Sequence, residues 1–227
     1  MDAAALQLQH VSWSIAGRQI LSEVSLLLES GRSLAISGPS GSGKSSLLSI
    51  ALGLITPDAG DVVVAGEKMT GVPRKQRARL RRRSMGMVFQ TGELIDEVTC
   101  FENVLIGPLL AGFSRSDAIG KAQVSIDRLG LKPISEQITF TLSGGERQRT
   151  AVARALAAEP RCLLADEPTG SLDAGSRDAV AEMLFSAAAD QRCALLLVTH
   201  DLALAGLAEE HLELRDGVIA TPSGMRR

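Results

Sequence analysis

One eight-residue stretch constrains this chain more than any other: Gly38-Pro-Ser-Gly-Ser-Gly43-Lys44-Ser45, with the spacing Gly, four residues, Gly-Lys-Ser/Thr. It follows a short apolar run, Ser33 to Ser37, and opens a segment, Ser45 to Leu54, in which apolar residues recur at helical spacing. Strand, glycine-rich loop and helix in that order make a phosphate cradle. Glycines let consecutive backbone N–H groups turn inward around an anion, and the helix adds the positive end of its dipole. Gly38, Ser40, Gly41, Ser42 and Gly43 are then phosphate-cradling positions, Lys44 reaches the β- and γ-phosphates, and the Ser45 hydroxyl holds Mg²⁺.

A magnesium site of this kind needs a carboxylate at the end of a neighbouring strand, and Cys162-Leu-Leu-Ala-Asp166-Glu167 supplies it. Asp166 is the expected metal ligand, acting through water. The acid beside it has no metal role left, so Glu167 is the candidate general base that orients an attacking water.

The rest of the pattern divides into a strand-rich start, a helical middle and an end that alternates strand and helix. Leu6, Leu8 and Val11, then Ile20 to Leu28, read as antiparallel strands with Gly17 and Arg18 in the turn between them. Asp61 to Ala65 and Met85 to Phe89 read as further strands, separated by a basic stretch. Helical patterning dominates from Thr99 to Leu129, where Thr99-x-x-Glu102 has the form of a capping box. A helix over Ser143 to Ala158 is expected to end before Pro160, since the residue preceding a proline avoids helical geometry. Cys162 to Ala165 and Ala194 to Thr199 are unbroken apolar runs, as in parallel strands buried on both faces, with a helix over Asp173 to Ala189 between them. Asp216-Gly217 marks a hairpin between Leu212–Leu214 and Val218–Ala220.

Composition removes other classes. At 227 residues, 45% hydrophobic and 22% charged, the chain has the balance of a globular fold. No apolar run approaches the roughly 18 residues of a membrane span. Cys100, Cys162 and Cys193 are an odd, widely spaced set without a Cys-x-x-Cys pair, which suggests neither a disulfide framework nor zinc, and fits reducing cytosol. The first ten residues lack the charged start and apolar block of a secretory signal. Net charge is −2, yet Arg74 to Arg83 holds seven basic residues and no acid.

Together with Leu142-Ser-Gly-Gly-Glu146 and Thr199-His200-Asp201, these motifs resemble the nucleotide-binding subunits of ATP-binding cassette transporters. The resemblance runs from Leu6 to about Ala220, with four motifs in the family's order. It implies an α/β P-loop NTPase fold: a mostly parallel sheet flanked by helices, an N-terminal antiparallel β part and an inserted helical subdomain. The whole of residues 1–227 is read as one ATPase domain, its core and antiparallel part about 1–90 and 160–220, its helical part about 91–159. By matching positions, Lys44, Ser45 and Ser46 look like phosphate and Mg²⁺ ligands. Gln90 looks like the glutamine that touches Mg²⁺ and links to the membrane partner. Ser143, Gly144 and Gly145 resemble the segment that closes on the γ-phosphate of ATP held by a second subunit. Asp173, in Ser171-Leu172-Asp173, belongs to the loop joining the two sites, and His200 looks like a γ-phosphate contact; a buried structural histidine is the other reading. The family stacks adenine on an aromatic at the position of Ile15. Trp13, on the same strand face, either contributes that contact or simply packs, and weak discrimination of ATP from GTP is the expectation.

The resemblance implies ATP and Mg²⁺, a head-to-tail ATP-sandwich homodimer, and two copies of a multi-span membrane subunit meeting the region after Gln90, at the cytoplasmic face of a bacterial cell membrane. Phe101 and Leu94 are apolar candidates there. Arg79-Leu-Arg-Arg-Arg83, Glu102-Asn-Val104 and Ala165-Asp-Glu-Pro-Thr-Gly170 resemble the macrolide-exporter, lipoprotein-releasing and haem-exporter branch. Export or extraction of a hydrophobic or amphipathic cargo (lipoprotein, peptide antibiotic, macrolide or haem) is the first reading, and a mechanotransmission complex that regulates an extracytoplasmic enzyme is the alternative. The basic stretch reads as a solvated helix face, an anionic-lipid contact or a contact with the partner's cytoplasmic segments; nucleic acid is not expected. Chromosome-type ATPases with the same head would need a coiled-coil arm, for which the 98 residues between Lys44 and Ser143 leave no room.

Overall fold

The computed structural model describes residues 4–220; residues 1–3 and 221–227, which the sequence reading includes in the same domain, lie outside them. Strands β1 (Leu6–Ile15) and β2 (Arg18–Leu28) pair antiparallel. Their turn is Ala16-Gly17, with φ of 49° and 77°, both positive as the tightest hairpin turn requires. Arg18, which the sequence places in the turn, instead pairs with Ile15 and begins β2, because the turn is only two residues long. β4 (Ala59–Val64) joins β1, and a short β5 (Glu67–Lys68) completes a four-stranded antiparallel sheet in the order β2-β1-β4-β5.

The second sheet holds β3 (Ser33–Ser37), β6 (Met85–Val88), β7 (Cys162–Asp166), β8 (Ala194–Val198), β9 (Glu210–Arg215) and β10 (Val218–Ala220), in the order β10-β9-β3-β8-β7-β6. All its neighbours run parallel except β10, which returns on β9 through Asp216-Gly217. Two cores explain the unbroken apolar runs. Cys162 and Leu164 of β7 point into a core shared with the antiparallel sheet, whereas Leu163 and Ala165 point into a second core under the helices. A strand buried on both faces has no polar position to alternate with.

Helix α1 (Lys44–Ala51) buries Leu47, Leu48 and Ile50 in the first core. The basic stretch forms α2 (Arg74–Ser84), which leads into β6. Helical patterning from Thr99 to Leu129 resolves into α3 (Cys100–Ala111) and α4 (Arg115–Arg128), because Gly112 caps the first at φ 99° and Ser114 accepts from Asp117 N–H to start the second. The capping box expected at Thr99 and Glu102 is present. α3 and α4 pack with α5 (Gly144–Leu156). A methyl group at Gly107 of α3 would sit 2.3 Å from the Arg154 carbonyl oxygen, so a side chain there would push the two helices apart. α6 (Ala174–Asp190) and a single turn, α7 (Leu202–Ala205), complete the fold. Parallel pairing in the order β3-β8-β7-β6 brings four strand C-termini side by side along one edge, which is where ligands bind in sheets of this kind.

Candidate nucleotide site

Four chain segments, distant in sequence, leave those strand ends and, with β2, enclose a cleft of about 750 Å³. From β3 comes the loop at Gly38–Gly43. Gly38 runs at φ 155°, and a Cβ there would lie 2.1 Å from the Leu214 carbonyl oxygen; at Gly43, with φ 105°, it would lie 2.9 Å from Leu21 Cδ2. Only glycine lets the loop pass this close to β9 and β2 and still turn into α1. Ser40, Gly41 and Gly43 face the cleft with Lys44, Ser45 and Ser46 of α1. Gly38 and Ser42 shape the loop from beneath, and the Ser42 hydroxyl is buried with no hydrogen-bond partner. Lys44 Nζ donates to the Gly38 and Pro39 carbonyls at 2.7 and 3.0 Å, so the ammonium spans the loop mouth where a phosphate chain would be gripped.

From β7 come Asp166 and Glu167, both on the cleft wall. Burial raises the Asp166 carboxyl above the ordinary carboxylate range, opposed by a hydrogen bond from the Ser45 hydroxyl; the Glu167 charge raises it further and Lys44 lowers it. Glu167 sits at φ 46°, a strained conformation for a side chain of this size, the kind that clusters at functional sites. Its carboxylate is held from β8: Thr199 Oγ1 donates to Oε2 at 2.9 Å, and His200 N–H donates to Oε1 at 2.8 Å. His200 Nδ1 lies 2.7 Å from the same oxygen. Glu167 is 17% exposed while the His200 ring is 70% exposed, so His200 is no buried structural histidine; its ring stands at the rim against the acid. From β6 comes Gln90, whose side chain faces the cleft and whose carbonyl accepts from Ser171 Oγ at 2.8 Å.

Oxygen donors fit a hard cation here. Asp166, Ser45 and Gln90 share the cleft, and among the described residues no group of three His, Cys, Asp or Glu could hold a metal alone. One carboxylate and one hydroxyl, completed by substrate phosphates and water, is how Mg²⁺ is commonly held.

Ser143, Gly144, Gly145 and Asp173 do not line this cleft. Ser143 caps α5 in a second capping box: its N–H and hydroxyl donate to Glu146 Oε2 at 2.8 and 2.7 Å, and its oxygen accepts from Glu146 N–H. These bonds hold the Glu146 carboxyl below its ordinary range. Ser143 and Gly144 are exposed, and Gly144 and Gly145 abut Leu172 and Ser176. Asp173 caps α6 through Ser176. One chain thus presents two separate surfaces, a phosphate cleft and an exposed α5 N-terminus.

Ile15, expected at the adenine, is 55% exposed and Trp13 packs against the first core; neither lines the cavity. Arg18 and Ile20 of β2 do. Arg18 has no acidic partner among the described residues. Sequence reasoning missed it by placing it in the turn, although its position opposite Ile15 in a two-residue hairpin was the available signal.

A phosphate loop, a strand-end Asp-Glu pair and a neighbouring His on this sheet define an ATP-hydrolysing P-loop cassette. The ABC transporter family profile matches residues 21–170, and the chain belongs to that family. It is 41% identical to the lipoprotein-releasing system ATP-binding protein LolD of Shewanella oneidensis over 98% of both chains. It is also 41% identical to LolD 1 of Rhodopirellula baltica over 92% of each. Among solved structures it resembles the dimeric bacterial ABC transporter cassette MJ0796 (30% identity, TM-score 0.84, 97% of this chain and all of that one). The dimeric post-hydrolysis form of that cassette bound to ADP and phosphate is similar (29% identity, TM-score 0.83).

Proposed function

We propose that this ATPase drives lipoprotein release: two copies close head to tail on two ATP molecules and pull on separate membrane subunits. The observation that carries the dimer is the division of parts, with Lys44, Asp166, Glu167 and His200 around one cleft and Ser143 and Gly144 exposed elsewhere. A helix N-terminus with free N–H groups suits the γ-phosphate of a partner's nucleotide. The likeness to LolD proteins supports the cargo class and favours it over a macrolide, haem or regulatory role.

In this reading Lys44 leaves the Gly38 and Pro39 carbonyls for the β- and γ-phosphates. Asp166, Ser45 and Gln90 hold Mg²⁺, which when bound screens phosphate charge. Glu167 takes the proton of the attacking water, a transfer worth typically 10²–10⁴-fold in rate. His200 holds Oε1 of Glu167 on one side and offers its exposed Nε2 edge to the γ-phosphate.

The segment after Gln90 receives the membrane subunit. Arg154 donates to the Gly92 and Glu93 carbonyls, Arg147 pairs with Asp96, and buried Asn103 exchanges hydrogen bonds with Ile95. Residues 92–96 are thereby tied to α5 and α3, so a push on them is passed to α5, the helix that Ser143 caps. Ile95 is the exposed apolar residue there; Leu94 is half-buried, and Phe101 packs against the second core. Among the described residues no helix is long and apolar enough to cross a membrane, so the anchor is assigned to the partner. Co-reconstitution with the membrane subunits in proteoliposomes tests the reading. ATP-dependent transfer of a bound lipoprotein to an acceptor is expected, and ATP turnover with no release would overturn the cargo assignment.

A further inference from the structure

The basic stretch is the one prominent sequence feature that the ATPase cycle does not use. The structure sorts its charges by face. Arg77 donates to Thr56 Oγ1 at 2.6 Å and Arg81 to the Leu52 carbonyl at 3.0 Å, both beyond the end of α1, and Leu80 and Ser84 are buried on the same arc. These arginines anchor the helix. At about 100° per residue, Lys75, Arg79 and Arg82 fall on the opposite arc. All three are exposed, and none has an acidic partner among the described residues; Arg83, beside them, pairs with Glu67.

As folded, this arrangement is strained electrostatically. The first turn of α2 carries Arg74 and Lys75 with no acid and no side-chain cap, against the helix dipole. Like charges recur at i+3 and i+4 along the outer arc, spacings at which they repel. Burial, followed by repulsion from Arg77, Arg82 and Arg74, pushes the Arg81 guanidinium down from its ordinary value. Arg81, Arg82 and Arg83 in the last turn agree with the dipole, so what an external anion would relieve is the first-turn mismatch and the repulsion between like charges along the arc.

A flat array of headgroups fits better than a nucleic-acid strand. The stripe from Lys75 to Arg82 is only about 10 Å long at the helical rise, residues 66–84 contain no aromatic on which a base could stack, and the remainder of the chain holds 17 basic against 26 acidic residues. Its place in the fold agrees: α2 packs on α3 and β6, the elements that bracket the segment assigned to the membrane subunit.

We infer that Lys75, Arg79 and Arg82 on the outer arc of α2 form a docking surface for anionic phospholipid headgroups, orienting the subunit against the bilayer that holds its partner. This rests on the membrane-subunit reading above for its placement, not for its measurement. Flotation of the full chain with vesicles of phosphatidylglycerol and phosphatidylcholine, against phosphatidylcholine alone, needs neither nucleotide nor partner. Each Lys or Arg near an anionic surface strengthens binding about fivefold, so the triple change to Gln should weaken binding on the order of 100-fold. Binding should also fall at high salt. A triple Arg115→Gln, Arg128→Gln, Lys132→Gln variant, with the same change in net charge elsewhere, should bind like the parent. Equal binding by the α2 variant, equal loss in the control variant, or tighter binding to single-stranded RNA than to the vesicles would each overturn the inference. ATP binding and turnover of the α2 variant, measured separately, should be unchanged.

Discussion

Replacing Glu167 by Gln separates chemistry from architecture, because every contact of that side chain is defined. The carboxylate accepts from Thr199 Oγ1 on one oxygen and from His200 N–H on the other, with His200 Nδ1 close to the second. A Gln keeps the oxygen that faces His200 and turns its NH₂ toward Thr199. Thr199 Oγ1 already accepts from Asp201 N–H at 3.0 Å, retains a second lone pair, and can accept that donor as well. The charge is lost from each of these bonds and the buried Thr199 hydroxyl loses its acceptor, at a cost of about 1.5–3 kcal/mol or more before the new bond offsets part of it. A change of about 1 kcal/mol shifts Tm by roughly 2–4 °C in a domain of this size. The kinetic loss is of another order: an amide cannot take the proton of the attacking water, so turnover should fall about 10²–10⁴-fold. Calorimetric ATP titration, a melting curve and a phosphate-release assay on one preparation give all three quantities. Binding retained, Tm lowered by a few degrees, turnover nearly abolished and an ATP-dependent dimer on size-exclusion chromatography is the expected set. Hydrolysis near the parent rate would refute Glu167 as the base, and a collapse in stability would refute the contact analysis.

Asp166→Asn should stop Mg²⁺-dependent turnover yet stabilise the fold at neutral pH. The Asp166 carboxyl is raised chiefly by burial, so the folded chain holds its proton more tightly than the unfolded chain. The stabilisation from protonating it is complete below the unfolded value and is lost as pH rises through the folded one; denaturant titrations across acid pH should show this slope in the parent and not in the variant. Arg18→Ala should weaken ATP binding about threefold to fivefold, roughly 1 kcal/mol for an exposed cation over a base or beside a phosphate, with Tm unchanged. Arg18→Tyr should recover the affinity and sharpen the preference for ATP over GTP in competition binding; identical affinities in all three chains would remove Arg18 from the site. Ser143→Arg should cost about 1 kcal/mol through the lost α5 cap, spare binding by the monomer and abolish hydrolysis, and full turnover in that variant would exclude a site shared across the dimer.

The local chemistry of this protein is set by the sequence. Strand, loop and helix around Lys44, the buried run that ends in Asp166-Glu167, the capping box at Thr99 and the hairpin at Asp216-Gly217 follow from residue type and spacing, because each is made by groups a few positions apart. The ATP-binding cassette order of the motifs adds the family. Which groups meet is a matter of long-range pairing. β8 inserts between β3 and β7, and this places Thr199 and His200 on Glu167 across 32 and 33 residues. The register of a two-residue turn takes Arg18 out of the loop and onto the cleft wall, with Ile15 left exposed. Packing of α5 on α3 and α6 turns Ser143 away from its own chain's phosphate site. Those contacts depend on strand order and helix approach, which no local periodicity encodes, since a parallel sheet joins segments whose separation along the chain is fixed only when the whole core closes.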